Sequence, residues 1–383
     1  MLKRTFACAL AAFAIPFCAM GQSHSAFPVD SRVLAAPVPV LADGRLRLLY
    51  EVQLTNFSTK RVEITGLNVV GRDGVVPLAT YQEGALEKLV VPVGPEDNKE
   101  KERSIGPGRS ITLFLDLALR PKEPLPTELR HTLYFSYVAK DGGLIREVVN
   151  GPVVSIRQTA DVIQAPLRGS GWVAINGLTN PHHRRSFNAV DGHEHLAQRF
   201  AIDWVKLGPD GRFWQGPVNS NSSYYDYGEE VLAVADGRVS GLRDGLPENA
   251  GNNPAAGRDV TLDTITGNSV ILDLGRGRFA LYAHLQPQSL RVKVGDHVKA
   301  GQVLARLGNT GNSDAPHLHF QLMDANSALG AEGLPYVFAS FTQLGVLNDP
   351  DVWDKGKAWR PEAPVASVHR REFPVDNAVV SFP

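Results

Sequence analysis

The chain has 383 residues, too many for one ordinary domain of roughly 150 residues, so two or three compact units are expected. Hydrophobic residues make up 43% and charged residues 21% of the chain, a balance that is typical of folded proteins and excludes wholesale disorder. The net charge of -1 creates no overall field that would attract nucleic acid or an anionic membrane, so neither is expected as a partner.

Residues 1–21 are predicted to be a secretory signal peptide. Basic residues precede an apolar stretch at residues 5–20, which is shorter than the roughly 20 residues needed to span a bilayer and is interrupted by a proline. Cleavage before Gln22 would export a chain with no membrane span to the periplasm or the extracellular space; an uncleaved anchor is the alternative. Because Cys8 and Cys18 both lie in this segment, the mature chain would have no disulfide and no thiolate metal ligand.

Residues 28–160 are predicted to form an immunoglobulin-like β-sandwich. Leu48 and Tyr50 alternate with more polar neighbours, as in a strand with one buried and one wet face, and the pattern recurs between turn signals such as Arg72-Asp73-Gly74. No catalytic cluster is visible, and His131 is expected to be structural because it shares the alternation of its apolar neighbours. The domain would serve spacing, binding or chaperoning, and the sequence indicates no protein partner for it.

Residues 171–347 are predicted to form a second domain built on an antiparallel β-sheet. This segment holds eight of the 11 histidines, so the chemistry is expected here. Two long loops rich in Gly, Asn and Ser, at residues 206–228 and 240–259, are typical of functional walls. Residues 348–383 are expected to form a Pro-rich C-terminal tail. The predicted fold class is therefore mostly β, with a β-sandwich followed by an antiparallel-sheet domain.

The main chemical signal is His317-Leu318-His319. In a strand, residues two apart point to the same face and lie about 6.5 to 7 Å apart, so both imidazoles would project into the same space. One can bind a metal ion while the other reaches the reacting water.

Further motifs accompany this pair in a fixed order. Gly308-Asn-Thr-Gly311 precedes His317-Leu-His319-Phe320, and Leu281-Tyr-Ala-His284-Leu285 lies upstream, followed by a Val-Gly-Asp hairpin at residues 294–302. Together they resemble the lysostaphin/LytM type of zinc metallopeptidase, bacterial enzymes that cut the peptides of peptidoglycan. The resemblance covers residues 171–347 and implies a β-rich zinc endopeptidase domain.

The resemblance also requires an aspartate and a first histidine, which short family members carry as H-x-x-x-D. Phe200-Ala-Ile-Asp203-Trp204 resembles the strand that supplies the aspartate, so Asp203 is the expected carboxylate ligand. Arg199, however, stands where the histidine would be. The candidates for that histidine are His182, His183, His193 and His195.

A hairpin would bring one of these histidines to Asp203. A turn at Asp191-Gly192 would place residues near 183 opposite residues near 200. His195 lies eight residues from Asp203 on the same strand, about 26 Å away if that strand is straight. His183 is therefore the predicted first ligand. His182 is the alternative, because an ideal two-residue turn would put it on the face of Asp203.

The predicted ligand set of His183, Asp203 and His319 suits zinc. Two imidazoles and one carboxylate leave the fourth tetrahedral position for water, and no cysteine is needed. The metal would lower the pKa of water to about 7 and polarise the scissile carbonyl. His317 is the predicted general base, and His284 is predicted to hydrogen-bond the attacking water or the developing oxyanion.

These patterns predict a secreted zinc metalloendopeptidase that hydrolyses stem-peptide or cross-bridge bonds of peptidoglycan. A catalytically inactive cell-wall-binding or activator protein on the same fold is the main alternative, because such proteins lack zinc residues and the first histidine departs from the pattern here. Residues 295–302 also resemble the hairpin of biotinyl and lipoyl carriers, but they place no modifiable lysine in a tight turn.

Overall fold

The computed structural model describes residues 27–72, 74–93, 103–120, 123–156, 159–252, 260–361 and 366–383. These residues form mostly β-strands with a few short helices, in agreement with the predicted fold class. The predicted signal peptide at residues 1–21 lies outside the described residues. Within the ranges given, no helix is long and apolar enough to cross a membrane.

The N-terminal domain consists of two antiparallel sheets. Its elements are β1 (Val29–Val33), β2 (Pro39–Ala42), β3 (Arg45–Asn56), β4 (Val62–Gly71), β5 (Ala79–Gln82), α1 (Glu83–Glu87), β6 (Val90–Pro92), β7 (Ser104–Ile105), β8 (Ser110–Ala118), β9 (Glu128–Val138) and β10 (Leu144–Ser155). One sheet has the order β1-β3-β8-β6, with β2 on β3. The other has the order β10-β9-β4-β5, with β7 on β4.

A hydrophobic core lies between these two sheets. Leu48 and Tyr50 of β3 belong to the same buried cluster as Leu133 and Phe135 of β9, so the alternation in the sequence did mark inward positions. His131 is buried as well, and its Nε2 lies 2.7 Å from the Tyr50 hydroxyl. The domain is thus a two-layer β-sandwich, while its immunoglobulin-like topology stays a prediction.

The outer face of the β3 and β8 pair is also buried, so the prediction of a wet face is wrong there. Leu49 and Glu51 of β3 and Thr112 and Phe114 of β8 are at most 2% exposed. Because they alternate with the core positions, they point away from the sandwich. Leu49 packs into the core of the C-terminal domain. Alternation shows that a strand has two faces, but it does not show that another domain covers the more polar one.

The C-terminal domain is built on one large sheet. Its elements are β11 (Asp161–Ile163), β12 (Gly169–Ile175), α2 (Pro181–Arg184), β13 (Asn188–Val190), β14 (His193–His195), β15 (Ile202–Lys206), β16 (Glu230–Leu232), β17 (Gly237–Arg243), β18 (Asn268–Gly275), β19 (Arg278–Leu285), β20 (His297–Val298), β21 (Val303–Arg306), β22 (Leu318–Met323), β23 (Gly333–Leu334), β24 (Tyr336–Val346), α3 (Asp351–Asp354), β25 (Ser367–Glu372) and β26 (Ala378–Phe382).

The large sheet has the order β11-β24-β26-β12-β15-β22-β19-β18-β17-β20. All its neighbouring strands are antiparallel except β11 and β24, which are parallel. Strand β23 joins the sheet on β22, and β25 joins it on β24. One face carries the main core, to which Trp172, Trp204, Tyr282 and Phe320 contribute. The middle of the opposite face, on β15 and β22, is left for the site described below.

Two strands of the segment predicted as a Pro-rich tail, residues 348–383, are part of this sheet, namely β25 and β26, which corrects that prediction. Strand β26 is hydrogen-bonded to both β24 and β12. Val380 and Phe382 enter the main core, while Val379 packs on the opposite face. The run from Ala378 to Phe382 is short and mostly apolar, as in a central strand. The prolines around it led to the prediction of a tail instead of a strand.

Candidate metal centre

The centre of the site is a cross-strand pair. Asp203 of β15 lies directly opposite His319 of β22, so the two side chains share one face of the sheet. Their neighbours in sequence, Trp204 and Phe320, enter the core on the other face. Nδ1 of His319 lies 2.8 Å from Oδ1 of Asp203. Both residues are buried, so this contact is shielded from bulk water.

The first histidine reaches this pair from a short helix. The predicted turn at Asp191-Gly192 is present between β13 and β14, but the hairpin is only three residue pairs long. Before it the chain forms α2, whose first turn is capped by the Asn180 side chain. His183 of this helix places its Nε2 3.2 Å from Oδ2 of Asp203. The parity argument that distinguished His182 from His183 does not apply, because the segment is helical rather than extended.

The other candidates lie elsewhere. Nδ1 of His195 is 3.5 Å from a carboxylate oxygen of Glu332, and His193 is exposed. His182 is exposed at the rim of the cavity, with its ring centre 5.5 Å from that of His183. Arg199, at the position of the missing histidine, is 2% exposed and pairs with carboxylates from both domains.

Three donor groups therefore converge: His183, Asp203 and His319. One ligand atom of each lies within 4.8 Å of the others, and all three residues are buried. Nδ1 of His183 is 2.9 Å from the Asn176 carbonyl, which can only accept, so that nitrogen carries the proton and Nε2 keeps its lone pair. Two imidazole nitrogens, once their protons give way to a metal, and a carboxylate facing one point are a donor set that fits zinc.

Two supporting residues escaped the sequence analysis. The backbone carbonyl of Asn176 accepts a hydrogen bond from Nδ1 of His183, and its side-chain amide donates to Oδ2 of Asp203 at 2.9 Å. The backbone of Asn176 is left-handed, with a φ of 55°. Gln321 accepts from Nε2 of His319 at 2.8 Å, and its amide donates to the Ala328 carbonyl at 3.1 Å. Gln321 thereby leaves Nδ1 of His319 as the ligand atom. Gln321 could have been predicted, because it lies two residues after His319 in a strand and so shares its face. No feature of the sequence indicated Asn176.

Two further histidines border the same space. Nε2 of His317 lies 3.7 Å from Oδ1 of Asp203, although β22 begins only at the next residue. Nδ1 of His317 is 2.9 Å from the Ala315 carbonyl, and Nδ1 of His284 is 2.8 Å from the Thr310 carbonyl. In the neutral rings both Nδ1 atoms therefore carry the proton, and both Nε2 atoms are acceptors. The two ring centres lie 4.6 Å apart.

A break in the strand directs His284 into the site. Simple alternation would place His284 on the same face as Tyr282, which is in the core. The register of β18 and β19 shifts at this point, and His284 has a φ of 64°. A bulge with a left-handed residue re-aims the side chain, as bulges near active sites commonly do. Nothing in the local sequence predicted this bulge.

The electrostatics follow from burial and from the crowding of these groups. Burial alone would raise the pKa of Asp203, but His183, His317 and His319 hold that pKa well below its ordinary value. Burial, together with His317 and His319, holds the pKa of His284 well below its ordinary value. Burial likewise lowers the pKa of His317. The site therefore combines an ionised carboxylate with two neutral rings that can accept a hydrogen bond at Nε2.

A cavity of about 560 Å³ contains all five side chains. Its far wall includes Trp353 of α3, which lies in the segment predicted as a tail. Thr266, from the long loop that follows β17, forms another part of the wall. A polar floor of this kind at the base of an open cavity suits an extended polar ligand.

Comparison with known proteins shows which family part of this region resembles. Residues 223–330 match Peptidase family M23, a range that includes His284, His317 and His319 but not His183 or Asp203. Glycyl-glycine endopeptidase ALE-1 of Staphylococcus capitis is 60% identical over 100 residues, which are 26% of this chain and 23% of that protein. Murein hydrolase activator EnvC of Escherichia coli (strain K12) is 30% identical over 121 residues, which are 31% of this chain and 23% of that protein.

Among solved structures, the catalytic domain of lysostaphin from Staphylococcus simulans is 28% identical. That match covers 32% of this chain and 84% of that chain, with a TM-score of 0.21. The chain spans less than a quarter of the length of the two curated relatives just described. Residues 223–330, which carry His284, His317 and His319, are therefore similar to peptidase family M23, of the LytM/lysostaphin type.

Proposed function

We propose that this protein is an exported zinc metalloendopeptidase that hydrolyses peptide bonds of peptidoglycan. The observation that carries the proposal is the convergence of His183, Asp203 and His319, with two acceptor imidazoles beside them. The likeness to a glycyl-glycine endopeptidase supports a peptide substrate. Export rests on the predicted signal peptide, which lies outside the described residues.

His183, Asp203 and His319 are the residues that would hold zinc. Bound zinc would supply a Lewis acid that lowers the pKa of water and polarises the scissile carbonyl. His317 accepts the proton of the attacking water at Nε2, since its Nδ1 is committed to the Ala315 carbonyl. Asn176 and Gln321 hold the ligand side chains in the tautomers that this arrangement requires.

The sequence left two roles open for His284, and its hydrogen bond favours one of them. Because Nδ1 donates to the Thr310 carbonyl, Nε2 of the neutral ring is an acceptor. It can hold the attacking water in line but cannot donate to an oxyanion without a second proton. The low pKa of His284 opposes that second proton, so we assign it to orienting water.

The second candidate is a catalytically inactive activator, favoured by the 30% identity to a murein hydrolase activator. The inactive alternative was argued from the missing H-x-x-x-D histidine. His183 lies on another element with its Nε2 3.2 Å from Asp203, which makes it a candidate for the missing ligand. This candidate weakens the argument for an inactive protein, so we favour the endopeptidase.

The test is metal content and murein digestion with the mature chain that begins at Gln22. About one zinc per chain and release of peptides from isolated murein are expected, with both lost after chelation and restored by added zinc. Digesting pentaglycine cross-bridged murein beside directly cross-linked murein identifies which bond is cut. A protein that binds zinc and releases nothing from either murein would support the activator instead.

A further inference from the structure

The helix that carries His183 lies at the junction of the two domains. His183 faces Asp203, while the next residue, Arg184, points the other way and is 5% exposed. Its Nη2 donates to the carbonyl of Leu115 in strand β8 of the sandwich. Adjacent residues of one helical turn therefore serve two domains: one is a ligand candidate and the other is an anchor.

Phe114 is the platform for this anchor. The guanidinium carbons of Arg184 and Arg185 lie 5.8 and 5.5 Å from the centre of its ring, within the range of cation–π attraction. The ring of Phe187 meets the same ring edge-on at 5.8 Å. Nη2 of Arg185 also donates to the Lys88 carbonyl at 2.5 Å. The sandwich thus holds the segment around α2 from its outer side.

Helix α2 needs such support because it has four residues. A single helical turn is not stable by itself in water, since the cost of nucleation exceeds the gain from one or two hydrogen bonds. Within its own domain, α2 is capped by the Asn180 side chain, which accepts from the backbone N–H of His182, and the His183 ring donates to backbone carbonyls. A ligand on a loosely held turn would lose conformational entropy on binding metal, whereas a clamped ligand is preorganised.

We propose that the N-terminal sandwich positions a ligand of the metal centre. It clamps α2 through Phe114 and the Leu115 carbonyl and so holds His183 in place for the metal. Arg184 is the positioning residue of this clamp. The inference rests on the proposed function in one respect, namely that zinc is the metal. By linkage, a metal bound to His183 strengthens the docking of the two domains by the same factor by which docking strengthens metal binding.

The experiment measures zinc affinity on the whole mature chain by competition with a chromophoric chelator. Arg184→Met keeps the length of the side chain and removes the guanidinium, so we expect zinc binding to weaken about 10- to 100-fold, the range known for second-layer residues of metal sites. Arg184→Lys, which keeps a donor, should recover part of that loss. The visible spectrum of the cobalt-loaded Arg184→Met protein should shift toward that of cobalt-loaded His183→Ala, which a merely destabilising change would not produce.

The matched control is Arg32→Met. Arg32 also links the two domains, through Glu194 at 2.5 Å, but it contacts the β13–β14 hairpin instead of α2. We expect wild-type zinc affinity and a wild-type cobalt spectrum from this variant. If Arg184→Met fails to fold in the metal-free state, Phe114→Leu provides the same comparison from the sandwich side.

Wild-type affinity and spectrum in a folded Arg184→Met or Phe114→Leu protein would overturn the clamp. An equal loss of zinc affinity in Arg32→Met would overturn the clamp as well, because any weakening of the contact between the two domains would then have the same effect. These readouts do not involve hydrolysis. A wild type that binds zinc and cuts no murein would therefore refute the endopeptidase while leaving the clamp intact.

Discussion

At the residue scale, each of the four site histidines has one ring nitrogen committed to a fixed acceptor, which leaves the other ring nitrogen for contacts within the site. His183, His284 and His317 each use Nδ1 in this way, on carbonyls of residues 176, 310 and 315. His319 uses Nε2 instead, on Gln321. The two neighbouring histidines therefore differ in the nitrogen that they present to the site. His319 presents Nδ1, as proposed for a metal ligand, whereas His317 presents Nε2.

The identity of the first ligand is tested by comparing two histidines. His183→Ala should lose stoichiometric zinc, because it removes one of three ligands, and should abolish cleavage. His195→Ala should retain zinc and turnover, since its ring contacts Glu332 instead of Asp203. Metal analysis by mass spectrometry and peptide release from murein check both. Loss of zinc in His195→Ala with retention in His183→Ala would show that the ligand assignment is wrong, and loss only in His182→Ala would move it by one residue.

The division between ligands and catalytic groups gives a second prediction. His317→Ala and His284→Ala should each keep bound zinc but lower turnover by roughly 100-fold or more, the scale of a lost general base or water-orienting group. Asp203→Ala should lose metal and activity together, because its carboxylate faces both imidazole ligands. Zinc content and turnover measured on the same preparations decide the matter. Wild-type turnover in His317→Ala would remove it from the role of general base.

At the scale of elements, the site depends on strands from distant parts of the sequence. β12, β15, β22 and β19 are neighbours in the sheet, and α2 covers one end of the resulting cavity. β26, almost at the end of the chain, borders β12 and so supports the strand that leads to Asn176. The C-terminal segment is therefore structural and also contributes Trp353 to the cavity wall.

Stability measurements test this role of β26. Val380 is 0% exposed in β26, so Val380→Ala should lower the free energy of unfolding by about 2–3 kcal/mol through lost burial and the cavity left behind. Val368 in the adjoining β25 is 64% exposed, and Val368→Ala should change that free energy by no more than about 0.5 kcal/mol. Denaturant titration compares the two. Equal effects would mean that residues 378–382 do not form a central strand in solution.

At the scale of the whole molecule, the two domains share buried contacts. Arg199 lies between Glu51 of the sandwich and Glu332 of the C-terminal domain, at 2.8 Å from each, and both Arg199 and Glu51 are at most 2% exposed. Leu49, next to Glu51, enters the core of the C-terminal domain. Arg199, at the position where a histidine was expected, thus joins the two domains, while the proposed ligand His183 lies on α2.

The buried ion pair predicts a large loss of stability when one partner is removed. Glu51→Ala leaves Arg199 with one carboxylate and should lower the free energy of unfolding by about 3 kcal/mol or more. Arg32→Ala removes an interdomain pair whose arginine side chain is 58% exposed, and should cost less than about 1 kcal/mol. Urea unfolding of both variants checks the difference. A cost for Glu51→Ala no greater than for Arg32→Ala would contradict the buried geometry.

The sequence by itself determined the strand-rich class and the location of the chemistry, because short-range alternation reports which side chains, such as His317 and His319, share a face. The resemblance of its motifs to the lysostaphin/LytM type supplied Asp203 and His284 as further site candidates. Even the hairpin at residues 191–192 was readable, since its turn chemistry is local.

Only the tertiary structure decided the rest. It placed His183 beside Asp203 from a helix instead of a strand, turned His284 through a bulge, incorporated β26 into the sheet and covered the outer face of β3 with a second domain. Each of these depends on contacts between residues far apart in the chain. The local sequence pattern does not predict such contacts. A distant element can bury one face of a strand without any change in the alternation of apolar and polar residues along that strand.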